Sequence, residues 1–249
     1  MKKFIKKITL TMSLIGLSCV AQATELYLYS GAALRGPVQN IIKQYEKNTG
    51  NKVIVEYGGS GQILARYNTV KKGDLFLVGA GRYIEKLAQN NELLASSPIV
   101  QHIPVMVIAK EKSQGIHSFQ DLAQSQLRLG IGDSKAMALG KGAEAIFALS
   151  GYQQALEKLV VVKAATPKQL MLYLRNGNID GAVVGRASVW KQRDQFKILE
   201  NPKGTPIEEV TLAILSTTKH PKEAKALFSL FNSQQGVGYF LNAGFLPIK

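Results

Sequence analysis

The chain has 249 residues, of which 46% are hydrophobic and 19% charged. This is a globular composition large enough for one or two buried cores, and nothing after the N-terminus is apolar for long enough to span a bilayer. The net charge is +14, but the basic residues are scattered, without an arginine-rich arm or interleaved aromatics, which argues against nucleic acid as a partner.

Residues 1–23 read as a signal peptide. Lys2, Lys3, Lys6 and Lys7 form a positive start. Ile8 to Val20 is an apolar run too short to cross a membrane, and Ala21-Gln22-Ala23 is a small-x-small cleavage site. Cleavage after Ala23 predicts a periplasmic mature chain from Thr24, with the charge reduced from +14 to +10 by loss of four lysines. Lipidation at Cys19 is the competing reading, and Leu17 stands one place too close for it. Cys19 is the single cysteine, so the mature chain would hold no disulfide and no thiolate metal site.

In chain order, Glu25 to Ser30 alternates as a strand, and Gly31-Ala32-Ala33 is a small-residue turn. From Arg35 the spacing of Val38, Ile41, Ile42 and Tyr45 is helical, with Gly50 just past its end. Val53 to Tyr57 is a second strand. Gly58-Gly59-Ser60-Gly61-Gln62 follows and opens a helix to about Val70. Gly73 to Val78 is a third strand, ending in Gly79-Ala80-Gly81 before a helix to about Gln89. His102 to Ile108 is a strand in which Pro104 points to an edge or a start. Ser118 caps a short helix to Ala123, and Leu127 to Gly132 is a strand. Met137 to Gly142 opens a helix ending near Ser150-Gly151. Leu159 to Lys163 is a strand, and Thr166-Pro167-Lys168-Gln169 is a capping box for the next helix. Asp180 to Val184 is a strand, and Gly185-Arg186-Ala187-Ser188 opens a helix. Phe196 to Leu199 and Val210 to Leu215 are the last strands, and the rest is helical.

Strands alternating with helices imply an α/β fold of mostly parallel sheets. Turns after parallel strands gather at one sheet edge, where ligands bind. Free N–H groups at helix starts favour anions there. Two sets of such units, joined near 105 and again near 205, predict two lobes with a hinge of two crossings: 24–105 plus 206–249, and 106–205.

Catalytic readings fare poorly. His102, His117 and His220 have no partner at metal or triad spacing and read as surface or strand-end residues. Gln62 stands where a nucleophile elbow needs glycine. Ile84 breaks a dinucleotide fingerprint after Gly79-Ala80-Gly81, and Gly140-Lys141 lacks the rest of a P-loop. Asp74 and Asp133 are single carboxylates at strand ends, read as structural caps. No enzyme, cofactor or metal cation is expected.

Taken in order, Gly31-Ala32-Ala33-Leu34, Gln44-Tyr45-Glu46-Lys47, Tyr57-Gly58-Gly59-Ser60-Gly61, Gly73-Asp74-Leu75-Phe76, Ile131-Gly132-Asp133 and Ala243-Gly244-Phe245 resemble the periplasmic molybdate-binding proteins of ABC uptake systems. The resemblance spans nearly the whole mature chain. It implies a two-lobed type II periplasmic binding protein, a monomer, that holds an oxyanion between its lobes and delivers it to a membrane permease. In that family a serine or small residue after the first strand, a serine after the second, backbone N–H groups of the second lobe and a tyrosine hydroxyl hold the ligand. Ser60 matches the second serine. The first falls on Ala33, beside Gly31 and Ala32, with Ser30 three residues earlier. The second-lobe turn falls on Leu139-Gly140, and the tyrosine position falls on or beside Val184, which has no hydroxyl. Arginines stand beside these turns instead: Arg35, Arg82 and Arg186, with Lys141 beside another. At least one is expected to contact the ligand. An arginine favours a larger or more highly charged anion, so molybdate, tungstate, sulfate, phosphate and organic phosphates or carboxylates all stay open. A surface colonisation factor on the same fold is the rival reading.

Overall fold

The structure is a computed structural model that describes residues 23–134 and 138–248. Residues 1–22 of the leader, Cys19 among them, and Met137 lie outside the described residues.

The first strand, β1 (Glu25–Gly31), alternates as its sequence requires. Leu26 and Leu28 enter one core, and Tyr27 and Tyr29 face another. After a 3-10 turn at Ala32–Leu34, α1 (Arg35–Thr49) buries Val38, Ile41, Ile42 and Tyr45 on a single stripe. Gly50 ends it in the left-handed region at φ 75°, which costs least without a Cβ. Next come β2 (Lys52–Gly58), α2 (Ser60–Val70), β3 (Leu75–Val78), α3 (Arg82–Gln89), β4 (Leu93–His102) and β5 (Pro104–Ala109). The chain continues through α4 (Phe119–Ala123), β6 (Leu129–Gly132), α5 (Ala138–Leu149), α6 (Gln153–Lys158), β7 (Val160–Ala164), α7 (Pro167–Arg175), β8 (Gly181–Gly185) and α8 (Arg186–Val189). It closes with β9 (Phe196–Ile198), β10 (Glu208–Leu215), α9 (Pro221–Asn232) and α10 (Gln234–Asn242).

Two five-stranded sheets result, ordered β2-β1-β3-β10-β4 and β7-β6-β8-β5-β9. Each is mixed rather than mostly parallel. The strands β1, β2 and β3 run parallel, as do β6, β7 and β8, while β10, β4, β5 and β9 pair antiparallel. The chain leaves the first sheet at β4 and enters the second at β5 with only Ile103 between, and it returns to the first from β9 to β10.

Two elements escape sequence pattern. The outer half of β4 (Leu94 to Ser96) is exposed, on an edge strand that tolerates Ser97 and Pro98, so it shows no alternation. Six-residue α6 is too short for a helical period to register. At α7, Thr166 caps as expected, accepting from the Gln169 N–H at 3.2 Å. The Gln169 side chain donates to Tyr173 Oη instead of closing the box.

The sheets are tied at two crossings. Asn201, in the returning segment, donates to the Pro104 carbonyl at 2.7 Å, where the outgoing segment begins β5. Asp74 accepts from the Tyr27 N–H at 2.7 Å and the Thr218 hydroxyl at 2.6 Å, so this buried carboxylate is structural. In the second sheet Asp180 accepts from Arg128 Nε at 3.0 Å and Nη2 at 2.9 Å. The guanidinium, chiefly through these hydrogen bonds, holds the Asp180 carboxyl below the ordinary carboxylate range.

Candidate functional site

Parallel register decides which turns meet. Ser30 is level with Tyr57 and Leu77, and Gly31 with Gly58. The ends of β1, β2 and β3 therefore deliver their small-residue turns to one edge of the first sheet. In the second sheet, β6, β7 and β8 do the same with Gly132, Ala164 and Gly185.

After β1, Ala32 and Ala33 are exposed while Gly31 and Leu34 are buried. Ser30 follows Leu26 and Leu28 on their face and is fully buried. Its hydroxyl reaches only the Gly31 carbonyl, at 3.4 Å, a poor hydrogen bond.

After β2, close packing requires glycine at position 58, where a Cβ would meet Ile63 Cγ2 at 2.9 Å. The Gly59 N–H donates to Gln62 Oε1 at 3.0 Å, so Gln62 closes the turn. Ser60 is the first residue of α2, partly open, and its hydroxyl has no partner among the described residues. Beside it, Gly61 is exposed, and the Tyr83 hydroxyl lies 3.6 Å from where a Gly61 Cβ would stand. The N–H groups of Ser60, Gly61 and Gln62 belong to the helix's first turn and find no intrahelical acceptor.

The three arginines separate clearly. Arg82, first in α3, pairs with Glu208 at 3.2 Å and lies near the Tyr83 ring. Arg186, first in α8, donates to the Gly244 carbonyl at 2.6 Å and stacks on Trp190 at 3.7 Å. Burial, then nearby Arg193, pushes the Arg186 pKa down. It ties the second sheet to the C-terminal segment rather than standing free. Arg35 is exposed, its guanidinium 3.8 Å above the Tyr57 ring, and it has no carboxylate partner among the described residues. The Tyr57 hydroxyl beneath is buried without a partner among the described residues, and burial pushes its pKa up.

In the second sheet Gly140 is buried against the end of β6. A Cβ there would lie 2.4 Å from the Ser134 nitrogen, so the start of α5 packs backbone against backbone. Leu139 is partly open beside it. A depression of about 230 Å³ opens nearby, lined by Ile131, Gly132, Asp133, Ser134, Glu144 and Lys163. It belongs to the second sheet alone.

His102 joins the two edges. It ends β4 at the crossing, and its ring lies over the turns of both sheets. A Cβ on Gly185 would meet His102 Cε1 at 2.5 Å, and one on Gly79 would meet Cδ2 at 4.0 Å. The ring also packs against Phe245, with centroids 5.4 Å apart. Burial pushes its pKa down to about 4, so it is neutral at neutral pH. Sequence reasoning missed Tyr83, Tyr57 and His102 at this edge. Tyr83 was legible only as the neighbour of Arg82, and His102 read only as the start of a strand to Ile108, where the structure makes it the end of β4. Val184, where the resemblance puts a tyrosine, is buried in the second-sheet core. No group of three or more His, Cys, Asp or Glu suited to a metal lies among the described residues.

Residues 26–246 match the family described as bacterial extracellular solute-binding protein. A Haemophilus influenzae protein described as a binding protein is 60% identical over 245 residues, covering 98% of this chain and 100% of that one. Among solved structures, the substrate-binding domain assigned to a molybdenum ABC transporter of Clostridium difficile is similar at TM-score 0.77 and 20% identity, over 91% of this chain and 100% of that one. Campylobacter jejuni PEB3 with L-phospholactate bound is similar at TM-score 0.74 and 13% identity, over 90% and 100%. The fold of two mixed five-stranded sheets flanked by helices is the type II periplasmic-binding-protein fold of these neighbours.

Proposed function

This chain belongs to the family of bacterial extracellular solute-binding proteins, and we propose that it captures a small oxyanion between its two lobes for delivery to a membrane permease of the ABC type. The first lobe is 24–103 with 206–249 and the second is 104–205, two residues earlier than the sequence reading because β5 already belongs to the second sheet. The observation that carries this is the gathering of three glycine- and alanine-rich turns, each opening a helix, at one edge of the first sheet. Such an edge offers N–H donors and positive helix ends without a competing carboxylate side chain in the turns. Molybdate and tungstate are the first candidates, because the ordered motifs resemble molybdate receptors and a structural neighbour carries that assignment.

A larger anion is the second reading, and Arg35 favours it. Its planar fork has no carboxylate partner among the described residues, and it stands on Tyr57 just before the Gly58–Gly61 turn. A phosphate ester or carboxylate suits such a fork. Ser30, Gly31, Ala32, Ala33, Ser60, Gly61, Leu139 and Gly140 form the rest of the proposed set, with Arg82 and Arg186 held back by their own partners. The protein is a periplasmic monomer in this reading.

Thermal unfolding of ligand-stripped protein against molybdate, tungstate, sulfate, phosphate and phosphorylated three-carbon acids tests it. A ligand at about a thousand times its Kd adds about 4 kcal/mol, a rise of roughly 8–16 °C for a chain this size. A shift with molybdate or tungstate alone supports the first reading, and a shift only with organic acids supports the second. No shift with any of them refutes the oxyanion proposal.

A further inference from the structure

We propose that His102 is a ligand-facing residue, an imidazole at the inner end of the cleft that donates a ring N–H to the bound anion and takes up a proton as the anion binds. The inference rests on the oxyanion reading and goes beyond it, since neither motif spacing nor resemblance points to this residue.

Placement carries the argument. The ring is bracketed by Gly79, in the turn after β3, and Gly185, at the turn after β8. It is therefore one side chain that meets a strand-end turn of each lobe. Both turns lack side chains where the ring approaches, and at Gly185 any Cβ would collide with it. Phe245 supports the ring from one side. Neither ring nitrogen has a hydrogen-bond partner among the described residues, and the side chain is partly open rather than sealed in a core. A neutral imidazole carries one donor and one acceptor. A structural histidine this closely enclosed normally spends at least one of them on the protein. Here both remain available at the junction where the two sheet edges converge.

The charges around the ring set its response. The β3–α3 turn brings Arg82, which is paired with Glu208. Strand β10 brings that Glu208, the cross-strand partner of His102. The β8–α8 turn brings Arg186. The segment around Phe245 and the start of β5 bring no charge. Burial in this closely packed site keeps the free imidazole neutral, and two cations against one carboxylate supply no net negative charge to offset it. An anion settling in the cleft reverses that balance and favours the imidazolium, which then offers two N–H donors. Capture is thereby coupled to proton uptake, and an acidic exterior tightens it.

The test is long-range proton–nitrogen NMR of the wild-type protein through a pH titration, with and without saturating sulfate, phosphate or molybdate. Isothermal calorimetry on the same samples establishes whether each anion binds. The His102 pKa is expected to rise from about 4 to about 6 or more with anion bound, while His117 and His220 stay put. Sulfate, whose charge is constant in this range, should then bind about tenfold tighter near about pH 5 than near about pH 8. In His102→Gln, which keeps a neutral donor, that pH dependence should vanish while binding near about pH 8 persists. If an anion binds by calorimetry and the His102 resonances do not move, this inference is overturned and the oxyanion reading stands. An unchanged pH profile in His102→Gln has the same meaning. If none of the anions binds, both fall together.

Discussion

Replacing Arg35 with alanine separates a ligand arginine from a solvated helix-start arginine. In the free protein Arg35 contributes only its stacking on Tyr57, at 3.8 Å and largely in solvent, worth about 0.5–1 kcal/mol. The variant should therefore fold and melt only slightly lower, by about 1–4 °C. Binding is another matter. A hydrogen bond to a charged group is worth about 1.5–3 kcal/mol net, so losing the guanidinium should weaken capture by roughly 10- to 150-fold. Arg82→Ala is the internal control. Its charge is already engaged by Glu208 at 3.2 Å, and its removal should change affinity less than about threefold. Arg35→Lys should fall between, since it keeps the charge and loses the fork. Calorimetry with phosphate and with a phosphorylated three-carbon acid measures all three. If Arg35→Ala binds within about threefold of the wild type, or if Arg82→Ala loses as much, the assignment of the ligand arginine is wrong.

Other consequences are as direct. Gly61→Ala should leave stability nearly unchanged, because its Cβ meets Tyr83 Oη at an ordinary 3.6 Å. It should nonetheless weaken anion binding by crowding the start of α2. Gly140→Ala should destabilise by about 1–3 kcal/mol in a denaturant titration, since its Cβ would stand 2.4 Å from a backbone nitrogen that cannot rotate away. Arg128→Ala leaves the largely buried Asp180 with its backbone donor only. With Arg128 half exposed, the loss at neutral pH should be modest, though measurable. The depressed Asp180 pKa makes that stability present above the carboxyl's unfolded value and lost as pH falls through its folded one. The gap between wild type and Arg128→Ala should therefore close during acid unfolding, and a gap that stays constant in acid would count against the pairing as its source.

Local structure was legible from the order of residues. Alternation placed β1, period placed α1, and Gly50 ended it, because each depends on residues within one or two turns of each other. Ser60 opening α2, the small turns after three strands and the pattern of a two-lobed α/β fold were legible for the same reason. The tertiary structure alone decided matters of long-range pairing. It made each sheet mixed, because the strands that carry the chain between the sheets, β4, β5, β9 and β10, pair antiparallel with partners far along the chain, and it formed an edge strand from the polar stretch of β4. It also decided the fate of three arginines that look alike as helix starts. Glu208 lies far along the chain from Arg82, and Gly244 from Arg186, so only folding shows that these two are engaged while Arg35 is not. His102 is the extreme case. Its sequence neighbours say nothing of Gly79, Gly185 or Phe245, and only the crossing of the chain between lobes sets one imidazole against all three.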